Sequence, residues 1–372
     1  MKEKYLDTYF FDSKLALEIA LKKNQAETKN PNVKGLQICY YNGKKLINAP
    51  KNCIHLPLDK IYSYFIKTNN RFPQFVSFNN TNFSKQDQVD FNQKLTGILK
   101  LSIAGNSLLV DKYIKKIKKN KPDFSEKKLR VFVPACRETV VMQHISKNIA
   151  NAFKSIGCEV HYHIQNKMEQ CGALANLKAI YKFNPHITVN INHMNNDYLH
   201  KDIFNFVWFQ DGMPQLLDNN KIPIRSRDFV FHLIKEHGES LQKKGIKSKY
   251  QSFCINTKIF KKYPNIKKEK KIVFIGNSYS HHQIEIKDDE NYKNVLEGAI
   301  KLFEKNNCFT KETMQFLMSK YNKSEYFIGL IHNYLVRDYC VEKLCSLDNN
   351  DYKIEIYGNG WEQNPRIKKH YK

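Results

Sequence analysis

The sequence predicts an α/β protein, with two Rossmann-like parallel-sheet domains preceded by an N-terminal α+β extension. Three observations predict it. From residue 128 onward, short β-branched and aromatic runs alternate with stretches of helical periodicity. The connections between them are short, which favours parallel strands wrapped by helices. A charge-rich linker at 261–271 separates two such series.

The boundaries read as 1–125 for the extension, 126–262 for the first domain and 266–372 for the second. Residues 1–125 have an irregular pattern. They offer a short helix at 13–23, strands at 35–41 and 75–78, and a helix at 86–101. The basic run at 112–122 reads as a solvated helix end and linker, or else as a contact to a membrane or another anionic partner. The first domain opens with the strand 129–134. A helix follows, with apolar positions 141, 145, 149, 152, 153 and 156 on one face and Gly157 as its stop. Strand 158–164, helix 174–183 ended by Asn184-Pro185, and strands 187–192, 204–211 and 229–233 come next. A helix at 234–244 completes the series. The second domain has a strand at 272–275, a helix-rich stretch over 291–346 with breaks near 306–309 and 321–324, and a strand at 352–357.

Composition limits the function classes. The chain has 372 residues, 41% of them hydrophobic, enough apolar material for a sizeable core. No apolar run approaches the roughly 20 residues of a membrane span. The N-terminus carries acidic residues and no signal-peptide pattern. The expected location is therefore the cytoplasm. The net charge is +25, but only seven of the 61 basic residues are Arg, which argues against a nucleic-acid reader. Such a basic surface also suits peripheral contact with the inner face of an anionic membrane. The nine cysteines form no CxxC pair, and runs such as Phe253-Cys254-Ile255 suggest reduced, mostly buried thiols.

Ligands of parallel α/β sheets bind beyond the carboxyl ends of the strands. The strand-end residues here are Arg137-Glu138-Thr139, Asn192-His193, Gln210-Asp211-Gly212, Gly276-Asn277-Ser278 and Gly358-Asn359-Gly360-Trp361. The Gly276-Asn277-Ser278 turn offers backbone N–H groups to a diphosphate, or is an ordinary strand-end turn. Trp361 stacks on a base or sugar, or simply packs. Asp211 is either a base or sugar contact, or the cap of a following helix. His193 is a candidate general base or a plain loop histidine. Glu138 contacts an acceptor or pairs with Arg137. His161 and His163 share one strand face and read as structural. His281-His282 lacks a third metal ligand at a convincing spacing and reads as a surface loop. No GxSxG or HExxH motif is present.

Two phrases carry a family resemblance. Lys271-Ile-Val-Phe-Ile-Gly-Asn-Ser opens the second domain, and a helix with Arg337-Asp-Tyr-Cys-Val-Glu leads to Tyr352-Lys-Ile-Glu-Ile-Tyr-Gly-Asn-Gly-Trp. Together with the Phe206–Asp211 strand, they resemble CgeB-like, family-1-type bacterial glycosyltransferases over residues 128–372. The resemblance implies a GT-B fold, with two domains facing a cleft. It implies metal-independent sugar transfer from a nucleotide-sugar co-substrate, with no further cofactor, to a protein or surface-glycan acceptor. Gly276, Asn277, Ser278, Gly358, Gly360 and Trp361 would bind the donor. Asp211 or His193 would be the base or acceptor contact, with Glu138 third. A donor domain of this group continues well past the Gly-Trp turn, so the second domain is expected to be incomplete and its sheet edge open. The alternatives are a non-catalytic, truncated transferase-like scaffold and a basic nucleic-acid-binding protein.

Overall fold

The computed structural model describes residues 8–27, 38–78, 84–137, 139–166, 168–170, 172–217, 221–264, 269–280, 286–306, 308–348 and 352–372. The chain divides into two compact units, residues 1–260 and 261–372.

The first unit opens with β1 (Thr8–Phe11), α1 (Lys14–Glu27), β2 (Ile38–Tyr41), β3 (Cys53–His55), α2 (Ile61–Thr68) and β4 (Phe75–Ser77). These strands form a sheet of order β3-β2-β1-β4 in which every neighbouring pair is parallel. The α+β expectation for the extension is therefore corrected: this segment is parallel α/β. All four β2 residues are buried, as are Phe10 and Phe11 of β1. β2 and β4 fall within the strands expected at 35–41 and 75–78, whereas β1 and β3, with four and three residues, are too short for a periodic signal.

Helix α3 (Lys85–Lys119) follows, with 35 residues and a length of about 52 Å. Ser84 caps it through a reciprocal pair with Asp87. The helix expected to end near 101 runs on through the basic stretch, because no proline interrupts it before Pro122. Gly105 lets α3 lie close against α2: a Cβ there would collide with Ile66 and Tyr62. Further along, Ile117 of α3 packs with the Leu177 and Ile180 side chains of the next layer.

The second sheet of this unit comprises β5 (Arg130–Ala135), α4 (Val140–Ser155), β6 (Glu159–Ile164), α5 (Ala173–Phe183), β7 (Ile187–Ile191), β8 (Phe204–Phe209), α6 (Pro214–Leu217), β9 (Asp228–His232), α7 (Lys235–Lys243) and β10 (Ser248–Tyr250). Its order is β10-β9-β8-β7-β5-β6, all parallel. Val131, Val133 and Val189 pack with Ala150 of α4. Phe132 faces α5, and Val207 and Phe209 meet Leu241 of α7. Both faces are thus apolar, as a parallel sheet requires. Beyond β10, residues 251–256 form a strap. Trp208 Nε1 donates to Gln251 O at 3.2 Å, and Asn256 Nδ2 donates to Asn148 Oδ1 of α4 at 2.9 Å. Cys254, expected in a buried run, is exposed on this strap with Phe253 and Ile255. Of the eight described cysteines, only Cys39, Cys53 and Cys345 are buried. Phe253 lies against Trp208 with ring centroids 5.6 Å apart, while Ile255 is 69% exposed.

The second unit contains β11 (Lys271–Ile275), α8 (Tyr292–Asn306), α9 (Lys311–Tyr321), α10 (Glu325–Cys345), β12 (Lys353–Tyr357) and α11 (Pro365–Lys368). β11 and β12 pair in parallel, from Lys271↔Lys353 to Ile275↔Tyr357. The three helices between them share a core of Val295, Ala299, Leu317, Ile328 and Ile331. On the other edge of β12, Lys372 N donates to Ile356 O at 2.9 Å, and Tyr371 forms a parallel bridge.

Substituting Gly105→Leu should overpack the α2–α3 contact and lower stability by about 1–3 kcal/mol. Urea unfolding followed by circular dichroism measures this, and an unchanged midpoint would contradict the packing described.

Candidate functional site

In the six-stranded sheet, β5 is flanked by β6 on one side and β7 on the other. This is the topological switch point at which ligands of such sheets bind. The loop leaving β7 is set by a buried amide network. Thr188 Oγ1 and Asn190 Nδ2 each donate to Asn205 Oδ1 at 2.8 Å. Asn205 Nδ2 donates to Met194 O at 2.8 Å, and Asn195 Nδ2 to Asn190 Oδ1 at 3.0 Å. Asn192 takes the left-handed conformation, φ 63°, which asparagine tolerates.

That turn aims the Asn192 carboxamide at the end of β8. Its Oδ1 accepts the N–H of Gln210 at 2.7 Å and of Asp211 at 3.1 Å. Its Nδ2 donates to Asp211 Oδ2 at 2.6 Å. Gln215 Nε2 donates to Asn192 O at 2.7 Å. Asp211 is exposed, and its Oδ1 takes no hydrogen bond from any described residue. The carboxylate is therefore held by Asn192 and does not cap α6, since Asp211 meets that helix entry only through its backbone carbonyl.

His193 follows Asn192 directly, so the structure brings the two catalytic candidates to adjacent strand ends. Its ring is exposed, yet the protein mass around the loop lowers its pKa from 6.5 by desolvation. Glu138, the third candidate, lies outside the described residues. The neighbouring Arg137 donates from Nε to Gln165 O at 2.6 Å. His281 and His282 also lie outside the described residues. His161 and His163 stack on Phe132, which fits a structural role.

Two further residues belong to this end of the sheet. Gln210 is buried, and neither its Oε1 nor its Nε2 has a hydrogen-bond partner. His237 is buried with Nδ1 unpartnered, and its Nε2 lies 3.9 Å from where a Cβ of Gly212 would stand. Buried amide atoms without partners are rare, and each calls for a water or a ligand. The sequence places Gln210 at a strand end but carries no sign that its side chain turns inward. His237 sits on a helix with no motif around it.

The donor-site candidates of the second unit do come together, but they bind each other. Gly276 N donates to Tyr357 O at 2.9 Å, and Ser278 N to Asn359 O at 2.9 Å. Asn359 N donates to Asn277 Oδ1 at 2.9 Å, and Gly360 N to Glu362 Oε2 at 3.0 Å. The expectation that this turn cradles a diphosphate meets a physical obstacle, because these N–H groups are engaged. Trp361 is fully buried, donates from Nε1 to Gly276 O at 2.6 Å and packs edge-on against Phe274. It has no free face for a base or sugar, so the stacking role is corrected to a packing one. Gly358 has φ 135°, and a Cβ there would strike the Gly276 carbonyl. Below the turn, Ser278 Oγ donates to Asp338 Oδ1 at 3.2 Å, and Asn364 Nδ2 to Asp338 Oδ2 at 3.3 Å. Burial raises the Asp338 pKa. Asp338 also borders a groove of about 1040 Å³ between α8, α10 and α11, walled by Phe303, Tyr334 and Tyr339.

Among the described residues, no cluster of three or more His, Cys, Asp or Glu side chains is arranged to hold a metal ion. Comparison with protein-family models, with characterised proteins and with solved structures finds no match to this chain.

Gly358→Ala should destabilise the second unit by about 2–5 kcal/mol, combining backbone strain with overpacking. A thermal melt that leaves the unit intact would contradict the interlock. The raised pKa of Asp338 favours its protonated form in the folded state. Its contribution to stability is therefore full below 3.8 and is lost as pH rises through the raised folded value. Asp338→Asn should flatten that slope in denaturation curves collected across acidic pH.

Proposed function

We propose that this chain is a glycosyltransferase whose carboxyl-end site on the six-stranded sheet binds a hydroxyl-rich sugar ligand. One observation carries the reading: the buried, unpartnered carboxamide of Gln210 beside the Asn192-held carboxylate of Asp211. Planar amides and carboxylates suit adjacent sugar hydroxyls, because each presents two hydrogen-bonding atoms at fixed spacing. A site built to pair buried polar groups also rejects ligands that leave them unpaired.

In this reading an acceptor hydroxyl attacks the anomeric carbon of a nucleotide-linked sugar. The bond from that carbon to the diphosphate oxygen breaks, and the nucleoside diphosphate leaves. His193 takes the proton, and its lowered pKa keeps it neutral and basic at pH 7. Asp211 orients the hydroxyl through its unengaged Oδ1. The leaving diphosphate is not assigned to the Gly276–Ser278 turn, whose N–H groups at Gly276 and Ser278 are occupied. That occupancy favours a second reading, a non-catalytic sugar-binding scaffold, which predicts binding without turnover.

The test is release of nucleoside diphosphate from UDP-, GDP- and ADP-linked sugars by the purified chain. Asp211→Asn and His193→Ala should each lower turnover by about 10²–10⁴-fold with the fold intact. In the wild type, turnover should fall as pH drops through the lowered His193 pKa, and His193→Ala should lose that limb. Unchanged rates in both variants would sink the assignment, and binding without release would support the scaffold.

A further inference from the structure

The face of α3 that points away from both sheets has a composition the sugar-site reading does not use. Between Lys94 and Lys119 the helix carries seven lysines and one acid, Asp111. Its inner face is anchored: Phe91 and Leu95 enter the core around Phe10 and Tyr40, and Ile117 enters that around Phe132. Its outer face is not covered. Leu101 and Leu108, two turns apart, are 63% and 71% exposed. Lys94, Lys100, Lys112, Lys115, Lys118 and Lys119 are exposed on the same helix. At 100° per residue, Lys94, Leu101, Leu108, Lys112, Lys115 and Lys119 fall within about 60° of one another. A shallow groove of about 400 Å³ runs along this stripe, lined by Leu108, Asp111, Lys112, Lys115, Lys116 and Lys119.

Lysine, a strongly hydrated point charge, suits a diffuse anionic surface better than bidentate readout. Exposed leucines between lysines add an apolar element that a purely solvated charge run lacks. No described helix is long and apolar enough to cross a membrane. We propose that this face of α3 docks the protein peripherally on an anionic lipid bilayer. The lysines meet the headgroup phosphates, and Leu101 and Leu108 enter the interface. The helix is already formed and packed on its other side, so docking requires no folding step. The proposal is independent of the sugar-site reading, because no residue is shared.

The test is co-sedimentation of the full chain with phosphatidylcholine vesicles, with and without phosphatidylglycerol. Binding should require phosphatidylglycerol and weaken sharply as salt shortens the Debye length. Lys112→Glu, Lys115→Glu and Lys119→Glu combined should weaken it by at least about tenfold, given about fivefold per lysine near such a surface. Leu101→Gln with Leu108→Gln should weaken the binding that survives at high salt. The same charge reversal at Lys258, Lys261 and Lys262 controls for net charge and should leave most binding in place. Circular dichroism checks that each variant is folded. The proposal is overturned if the α3 triple variant binds like wild type, or if the control loses as much. It is also overturned if the triple variant loses binding to RNA or DNA while keeping vesicle binding, which would assign the face to nucleic acid.

Discussion

The Asn192 carboxamide ties the end of β7 to the end of β8, and the arrangement of the site depends on that tie. Parallel strands deliver their carboxyl ends to one edge, where backbone groups lose their ladder partners. Asn192 supplies an acceptor for two of those N–H groups and a donor for Asp211 in a single side chain. Its left-handed backbone is what turns the side chain back across β8. Behind it, Thr188, Asn190, Asn195 and Asn205 form a buried amide network that positions the following loop. The result is a rigid polar edge on an apolar sheet, with His193 and Asp211 exposed and Gln210 turned inward.

The second unit uses the same kind of strand end differently. Its two turns satisfy each other, and Trp361 seals them from beneath. Glycine at 358 is required there by conformation and by the approach of the Gly276 carbonyl. A motif that reads as a phosphate cradle in one dimension is, in three, a clasp between neighbouring parallel strands. The buried Asp338 carboxylate extends that clasp into α10.

Much of the fold was legible because the signals are local. The helical spacing of apolar residues from 141 to 156 marks α4, and Gly157 ends it with φ 90°, but the face that packs carries Ser146, Ile149, Ala150 and Phe153, while Val141 and Ile156 are exposed. In the N-terminal sheet, β2, β4 and α1 fall where strands at 35–41 and 75–78 and a helix at 13–23 were expected, but β1, β3 and the parallel pairing were not legible, because strands of three or four residues hold no period. At the site, His193 and Asp211 could be nominated from position alone, since both follow apolar strands. Gln210 could not, because nothing local distinguishes an inward-facing glutamine from an outward one. Trp361 was misjudged for the same reason: a tryptophan beside a glycine turn looks available until the core around it is seen.

The most direct measurement follows the side-chain amide resonance of Gln210 in a deuterated sample titrated with nucleotide sugars. A saturable shift of that resonance, together with the backbone amides of Asn192 and Asp211, is the result this account predicts. A Gln210 resonance that stays fixed while other residues shift, or while turnover proceeds, would place the ligand elsewhere and contradict it.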